Sequence, residues 1–178
     1  MKEYYFLGFD QGLANSGICV LKIKILKNNK IKNEIIYHKW VKTSSKINTP
    51  ERLVTVYNEL REVIKKYPIK AVACEHLWKN NINKTTGRDK SAGMMTANMT
   101  SSLIMLLAGQ YKLYFKSYVP SSIKKLTTGS GLATKEDMIK KVLKKYKIKE
   151  KISEHEADAI CIATAIGIDY LKMNKIIK

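Results

Sequence analysis

The sequence predicts an α/β fold: a mixed central β-sheet, formed by a three-strand antiparallel meander and additional parallel strands, with α-helices on its faces. Three observations support it. Apolar or alternating stretches bounded by turn residues fill the first 42 residues. Later apolar runs alternate with stretches of helical periodicity. The hydrophobic fraction is 45% over 178 residues, enough for one core but short for two, so we expect a single domain over residues 1–178.

The amino-terminal region predicts the meander. Tyr4–Asp10 is a short apolar run that ends in an acid, which is typical of a buried strand. Gly17–Leu26 and Lys32–Lys42 follow as two strand-like stretches on either side of a turn signal at residues 27–30. Because short turns join antiparallel neighbours, these three strands should lie side by side.

A first helix is expected after the meander. Thr49 is predicted as its N-cap and Pro50 as its first helical residue, since proline is tolerated where the backbone has no N–H to satisfy. Apolar residues then recur at helical spacing and should form one buried stripe. They are Leu53, Val56, Leu60, Val63, Ile64 and Tyr67.

The rest of the chain alternates strands and helices. The expected elements are a strand Ile69–Glu75, a loop over residues 79–93, a helix Met94–Gln110, a strand Leu113–Val119, a Ser/Thr/Gly-rich loop as far as Ala133, and the helices Thr134–Tyr146 and Ser153–Met173. Met94–Gln110 is rich in Met and small residues and is apolar around much of its circumference. It should therefore be buried, in the core or against another subunit.

The charge of the chain indicates a polyanionic partner. Lys and Arg number 33 against 15 Asp and Glu, a formal net charge of +18. Clustered lysines bind phosphate backbones through the release of counterions. The densest stretch, Pro120 to Lys151, has ten lysines and three acids. The alternative is a solvated basic surface without a specific partner.

The cysteines and the apolar stretches indicate in which cellular compartment the protein is expected. Cys19, Cys74 and Cys161 lie in apolar surroundings without a CxxC pair, so they are expected as core residues of a reducing compartment. The first residues lack a signal-peptide cleavage region, and the longest apolar stretches are too short or too polar to span a bilayer. We expect a soluble cytoplasmic protein with no membrane association.

Three acids and a histidine form the candidate active site. Asp10 and Glu75 each end an apolar strand, and in adjacent parallel strands both carboxylates would emerge at one sheet edge. Asp158 lies in the last helix one turn beyond His155, so the two share a face. Such a cluster would repel itself unless cations held it, and oxygen ligands suit Mg²⁺ or Mn²⁺. Paired ions at a scissile phosphate would fit phosphodiester hydrolysis.

Each acid also has a structural interpretation. Asp10 could cap a turn, Glu75 could form an ion pair at a strand end, and Asp158 could be a buried acid paired with lysine. The catalytic hypothesis depends on all three together, because acids inside apolar segments are costly without charged partners.

The start of the last helix predicts the state of the histidine. Ser153 and Glu156 have the spacing of a capping box, which places His155 in the first turn. Near the positive end of the helix dipole the neutral imidazole should be favoured, the form that binds metal or accepts a proton. The alternative is a capped surface helix whose histidine is incidental.

Four segments, in order and at similar intervals, resemble the RuvC family of Holliday junction resolvases. They are Gly8-Phe9-Asp10-Gln11-Gly12 with Ser16-Gly17; Ala73-Cys74-Glu75-His76-Leu77-Trp78; Ser122-Ile123-Lys124 through Gly129-Ser130-Gly131 to Lys135; and His155-Glu156-Ala157-Asp158-Ala159. Together they extend over residues 5 to about 168. The resemblance implies an RNase H-like fold and a homodimer that binds four-way DNA junctions. It also implies two symmetric nicks made with divalent metal, Mg²⁺ or Mn²⁺, as paired ions.

The resemblance also implies roles for individual residues. The metal and catalytic set would be Asp10, Glu75, His155 and Asp158. Lys124 and Lys135 would contact phosphate near the cut, with Lys125 an equally placed alternative to Lys124. Trp78 would stack on bases opened at the crossover, an interaction of about 1–3 kcal/mol per base. Alternatively, Trp78 is a core residue that anchors its loop.

Some features depart from the family pattern. Gln11 stands where the family usually has proline, although Gly12 is retained. The divergent loop over residues 79–93 and the lysine excess leave open the cleavage preference and any cooperation with a branch-migration motor. A phage-encoded relative that acts alone on branched DNA is one form consistent with this. The resemblance places Met94–Gln110 at a dimer interface, and an intramolecular core helix is the alternative.

Three other functions compete with junction resolution. A nucleotide-binding actin-like or sugar-kinase-like domain shares the first strand and turn, but would need a second phosphate loop and a longer chain. A non-catalytic basic DNA-binding protein would use the acids structurally. An RNase H-like nuclease acting on flaps or RNA–DNA hybrid differs from a resolvase only through the lysine segment and Trp78.

Overall fold

The computed structural model describes residues 1–27, 30–76 and 91–177. Within these ranges the elements are, in chain order, β1 (Lys2–Asp10), β2 (Asn15–Ile25), β3 (Ile31–Lys42), α1 (Thr49–Lys66), β4 (Ile69–Glu75), α2 (Ser91–Gln110), β5 (Tyr114–Tyr118), α3 (Pro120–Thr128), α4 (Lys135–Tyr146) and α5 (Glu154–Met173). The predicted α/β class is confirmed, and each predicted strand is present with ends that differ by at most two residues.

The sheet has the mixed topology that the sequence predicts. Its strand order is β3-β2-β1-β4-β5. β1 pairs antiparallel with β2, and β2 pairs antiparallel with β3, which together form the meander. β4 pairs parallel with β1, and β5 parallel with β4. The carboxyl ends of β1 and β4 therefore meet at one edge, where Phe9 is opposite Cys74 and the next residues are Asp10 and Glu75.

Helices cover both faces of the sheet. One core cluster joins the inner sides of α1 and α2 to one face, with Leu7, Phe9 and Val72 among the strand residues. The other joins α3, α4 and α5 to the opposite face, with Phe6 and Leu21 among them. Because β1 is buried on both sides, residues 6–9 form a continuous buried run rather than an alternating one.

Two glycines allow α5 to lie directly on the sheet. A side chain at Gly8 in β1 would overlap the backbone of Ala159 and Ala163, and one at Gly17 in β2 would overlap the carbonyl of His155. Only glycine permits such a close approach of backbones. The first turn of α5 is thereby held against the sheet edge at which β1 ends.

Some element predictions need correction. The segment after β5, expected as a loop as far as Ala133, contains the helix α3, which begins at Pro120 and ends before Gly129 at φ 92°. Its Ser and Thr content hid a helix that proline starts and glycine ends. The N-cap of α1 is Asn48 rather than Thr49, because the Asn48 side chain accepts a hydrogen bond from the Glu51 N–H.

Other local predictions concern α2, α5 and the cysteines. Helix α2 begins at Ser91, within the segment expected as a loop, and the rest of that loop from residue 79 to 90 lies outside the described residues. The capping box of Ser153 and Glu156 at α5 is confirmed. All three cysteines are buried free thiols. In the described part of the chain, no helix is long and apolar enough to cross a membrane.

Candidate active site

A side chain ties together the strand ends that carry Asp10 and Glu75. The Gln11 amide nitrogen donates to the Glu75 carbonyl oxygen at 2.8 Å, and the Glu75 N–H donates to the Gln11 amide oxygen at 3.0 Å. Gln11 is only 9% exposed. The side chain thus continues the parallel pairing of β1 and β4 by one step beyond their last backbone pair. This contact fixes the backbone of Glu75 relative to the end of β1.

Helix α5 adds the other two predicted residues. His155 lies in its first turn, and its ring nitrogen Nδ1 donates to Asp10 Oδ2 at 2.7 Å. Asp158 lies three residues further along the helix, on the same face. The structure thus brings together residues from β1, β4 and α5 that are up to 148 positions apart in the sequence.

The electrostatics show that the three carboxylates share one region. Burial, followed by the nearby charges of Asp10 and Asp158, raises the pKa of Glu75 to about 7. Burial and the charge of Asp10 raise the pKa of Asp158 to about 6. Burial also raises the pKa of Asp10, although the hydrogen bond from His155 acts in the opposite direction. These acids lie close enough to disfavour one another's ionised form, and a cation would relieve that repulsion.

The contact between His155 and Asp10 acts against the neutral imidazole that the sequence predicts. The hydrogen bond to Asp10 is the largest influence, and it raises the pKa of His155 above its ordinary value of 6.5. The helix dipole favours the neutral ring, but a carboxylate at hydrogen-bond distance outweighs it. In this conformation the contact with Asp10 therefore shifts the imidazole towards its protonated form.

Lysines adjoin the acids. Lys135, the first residue of α4, forms an ion pair with Glu154 at 2.7 Å. Its charge also acts to lower the pKa values of Glu75 and Asp158. Lys124 acts on Glu75 in the same way, whereas Lys125 is exposed and does not. Of the two neighbouring lysines, Lys124 is therefore the one that faces the acids.

An exposed tryptophan that the sequence analysis did not single out lies beside the histidine. The Trp40 ring is centred 6.1 Å from the ring of His155. Its indole N–H donates to Asn15 Oδ1 at 3.1 Å, and the Lys42 ammonium lies 3.3 Å from its ring centre. The strand register places Trp40 near the site, because Trp40 in β3 pairs with Gly17 in β2, which pairs in turn with Asp10 in β1.

Another residue missed as functional is Glu154. It forms the ion pair with Lys135 and also contributes to the raised pKa values of Asp10 and Asp158. Its position directly before His155 was the available signal, but the sequence pattern assigned it only to the capped helix start. Trp78, predicted to stack on bases, lies outside the described residues.

The carboxylates of Asp10, Glu75 and Asp158 are of the type that binds a hard divalent cation, because carboxylate oxygens are the ligands that Mg²⁺ prefers. In the described ranges, however, no three acid, histidine or cysteine side chains are disposed to hold a metal ion as they stand. Asp10 is instead engaged by His155. Binding of a cation would require side-chain rotation on a backbone that already brings the acids together.

Comparison with known proteins identifies relatives over most of the chain. The family model for the crossover junction endodeoxyribonuclease RuvC matches residues 6–166. The RuvC of Alkaliphilus metalliredigens (strain QYMF) is 32% identical over 160 residues, 88% of this chain and 88% of its own. The RuvC of Wolbachia sp. subsp. Drosophila simulans (strain wRi) is 27% identical over 160 residues, 88% of this chain and 90% of its own.

Solved structures share the fold. The structure of Thermus thermophilus RuvC in complex with a Holliday junction substrate has a TM-score of 0.78 at 23% identity and covers 96% of each chain. The yeast mitochondrial Holliday junction resolvase has a TM-score of 0.59 at 15% identity, covering 97% of this chain and 83% of its own. These likenesses confirm the RNase H-like fold.

An RNase H-like sheet with acids gathered at one edge and lysines beside them is the arrangement of a nuclease that hydrolyses phosphodiester bonds. The family match over residues 6–166 makes the assignment specific. This chain belongs to the RuvC family of crossover junction endodeoxyribonucleases.

Proposed function

We propose that this protein resolves Holliday junctions during recombination by making two symmetric nicks, with Asp10, Glu75, His155 and Asp158 as its catalytic set. The convergence of three carboxylates at the edge where β1 and β4 end carries the proposal. A structural role does not account for acids whose ionised forms are disfavoured by burial and by each other. An enzyme keeps such a costly arrangement when cations compensate it. A cytoplasmic location, with access to DNA, agrees with this activity.

The proposed cofactor is Mg²⁺, for which Mn²⁺ can substitute, with two ions at each active site. Asp10, Glu75 and Asp158 would hold the ions, with His155 at their side. Bound ions would supply positive charge to the scissile phosphate and to the oxygens that enter and leave. The donor types support this assignment, and so does the mutual repulsion that, after burial, raises the pKa values of Glu75 and Asp158, because a bound cation would relieve it.

The chain's own residues prepare this site. Gln11 holds the Glu75 backbone at the end of β1. If Asp10 held a cation in place of its hydrogen bond from His155, the imidazole would lose the contact that favours its protonated form. His155 Nδ1 can consequently give up or take up a proton beside the reacting phosphate.

The proposed substrate contacts are on the same side of the protein. Lys124 and Lys135 are assigned to phosphates next to the cut, because their charges reach the carboxylates. Lys135 would exchange its ion pair with Glu154 for a phosphate oxygen. Lys125 is exposed and is assigned to the DNA backbone farther from the acids. Trp78 is assigned to stacking on bases at the crossover.

A homodimer would place two such sites on the two strands of a junction. Helix α2 supports this arrangement, because its outer side is apolar: Met95 is 60%, Met105 is 52% and Leu106 is 54% exposed. These residues recur at spacings that bring them to one side of the helix. A two-fold axis through this side would bury the same patch of both subunits.

The test compares DNA substrates of different structure. The protein with Mg²⁺ or Mn²⁺ should nick four-way junctions at symmetric positions, and should cut three-way junctions, flaps, RNA–DNA hybrid and linear duplex less well. Asp10→Asn and Glu75→Gln should abolish cutting while junction affinity is retained. Glu62→Gln, an exposed acid on α1, is the matched control and should cut normally. Preferred cutting of hybrid or flaps would instead favour the RNase H-like alternative, and equal loss of binding and cutting in the acid variants would make the acids structural.

A further inference from the structure

A basic cavity lies on the side of the protein where β3 faces the end of α4. Its volume is about 690 Å³. Charged residues from β3, from the last turn of α4 and from the segment before α5 line it. They are Lys32, Glu34, Lys145, Lys147, Lys149 and Glu150. We refer to it as the β3–α4 cavity.

The acids of this cavity are already engaged by other residues. Glu34 forms an ion pair with Lys22 at 3.0 Å, and Glu150 binds His38 at 2.9 Å. Within the part of the chain that the structure describes, the four lysines of the cavity have no carboxylate at ion-pair distance. The lining thus carries four lysines against two acids, and this excess of positive charge attracts a polyanion.

Two elements, β3 and α4, extend from the cavity towards the active site. In β3, Lys32 is eight residues from Trp40, about 26 Å at the usual rise of a strand. In α4, Lys145 is ten residues from Lys135, about 15 Å at the rise of a helix. His38 connects the two regions, because it binds both Glu150 at the cavity and Glu156 in the first turn of α5.

We propose that the β3–α4 cavity binds the phosphate backbone of a DNA arm at a distance from the cut. The proposal rests on the proposed function, since it takes the DNA at the acids as its starting point. Nucleic acid is favoured over a small anion because the lysines are spread over a large, open cavity rather than directed at one point. At 3.4 Å per base pair, a span of about 15–26 Å places the contacted phosphates roughly four to eight base pairs from the cut.

The first experiment measures DNA binding as a function of salt. Catalysis is prevented by Asp10→Asn in every protein, so that binding is read without cutting. Lys145→Glu with Lys149→Glu should weaken junction binding about tenfold near physiological salt and should reduce the slope of log K against log salt by about two. Lys70→Glu in β4 with Lys112→Glu in the turn before β5 changes the net charge equally on exposed residues near the strands farthest from β3, and should have little effect.

The second experiment locates the contact on the DNA. Neutral methylphosphonates replace phosphates about four to eight base pairs from the cut, and a matched junction carries them farther out along the arm. The methylphosphonates nearer the cut should weaken junction binding by the parent protein. They should not further weaken binding by the variant with Lys145→Glu and Lys149→Glu. If they weaken binding by both proteins equally, or if the methylphosphonates farther out have the same effect, the arm does not lie in this cavity and the proposal is wrong.

The remaining outcomes separate this proposal from the proposed function. With the acids restored, the cavity variant at saturating protein should cut at the same positions and rate as the parent. If the lysine substitutions weaken DNA binding as expected but the parent with intact acids does not cut, the result contradicts the proposed function and leaves the cavity proposal standing. If the double variant melts at a lower temperature than the parent, Lys145→Gln with Lys149→Gln tests the same contact. An unchanged salt slope in that pair also overturns the proposal.

Discussion

The side-chain amide of Gln11 forms two hydrogen bonds with the backbone of Glu75, one to its carbonyl oxygen and one from its N–H. It does so where backbone pairing between β1 and β4 has ended. A proline at this position would have no such amide, so this chain positions the strand end by a side chain. Gln11, directly after β1, thereby holds the backbone of Glu75, a candidate metal ligand at the end of the neighbouring strand β4.

Gln11→Met should therefore lower the rate of cutting more than it weakens junction binding. Methionine keeps the length of the side chain but leaves the Glu75 backbone groups without their partners, which costs about 1–3 kcal/mol of stability. Displacement of the carboxylate should slow the reaction roughly tenfold or more and should raise the metal concentration needed for half-maximal rate. Single-turnover kinetics over a metal titration measure both. Gln110→Met, at the end of α2, is the control, and equal effects in the two variants would leave Gln11 without a positioning role.

Trp40→Ala should slow cutting because His155 would lose the ring that packs beside it. Asp10 binds the imidazole, and the indole of Trp40, 38% exposed, lies within 6.1 Å of it. Trp40→Phe keeps an aromatic ring and should retain most of the rate, while Trp40→Ala should lose about tenfold at saturating substrate. The comparison of both variants at saturating and limiting protein separates rate from affinity. A phenylalanine variant as slow as the alanine variant would mean that the indole N–H to Asn15, rather than ring packing, is what the site requires.

Gly17→Ala should displace the first turn of α5 and with it His155. The added methyl group would overlap the His155 carbonyl and lie 3.2 Å from the Ala159 side chain. Overpacking of this kind costs about 1–3 kcal/mol, and the shift should also abolish cutting. Gly109→Ala is the matched control, because nothing lies within 4 Å of its added methyl group. In helix α2 it should raise the free energy of unfolding by about 0.5–1 kcal/mol. Denaturant unfolding of both variants measures the difference, and equal stability would contradict the close approach at Gly17.

The sequence was sufficient to predict the sheet and the acids at its edge. β1 and β4 are covered on both faces, so they are continuous apolar runs, and the acids that end them stand out. Helix α3 was missed because its nine residues show only two buried positions, Ile123 and Thr127, which is too little periodicity to distinguish from a loop.

Contacts between distant residues could not be predicted from patterns in the chain. His155 was expected to be neutral because the sequence shows only its own helix, whereas its hydrogen bond to Asp10, 145 residues away, acts in the opposite direction and raises its pKa. Gln11 looked like a looser replacement for proline, but its amide reaches across to Glu75. The role of Trp40 depends on strand register, which places it two strands from Asp10. In each case the deciding partner lies on another element.

The raised pKa values of the site predict how the stability of the metal-free protein depends on pH. Glu75 titrates near 7 in the folded protein against an ordinary 4.5, and Asp158 near 6 against 3.8. Between these values the folded state binds more protons than the unfolded state, so stability falls as pH rises. The raised pKa of His155 acts in the same direction above its ordinary 6.5. Acids elsewhere with lowered pKa values, such as Glu34 and Asp137, act in the opposite direction, but in the more acidic range below about 4.5.

Thermal unfolding in the presence of a chelator should therefore show a melting temperature that decreases from about pH 5 to about pH 8. Glu75→Gln cannot ionise, so it should flatten this decrease and be more stable than the parent at the upper end. Added Mg²⁺ should raise the melting temperature of the parent more at high than at low pH, since the ion competes with protons for the carboxylates. The same addition should have little effect on Glu75→Gln. If the melting temperature of the parent instead rises through this range, the three acids do not repel one another. If it does not respond to Mg²⁺ at either end of the range, they do not bind a cation.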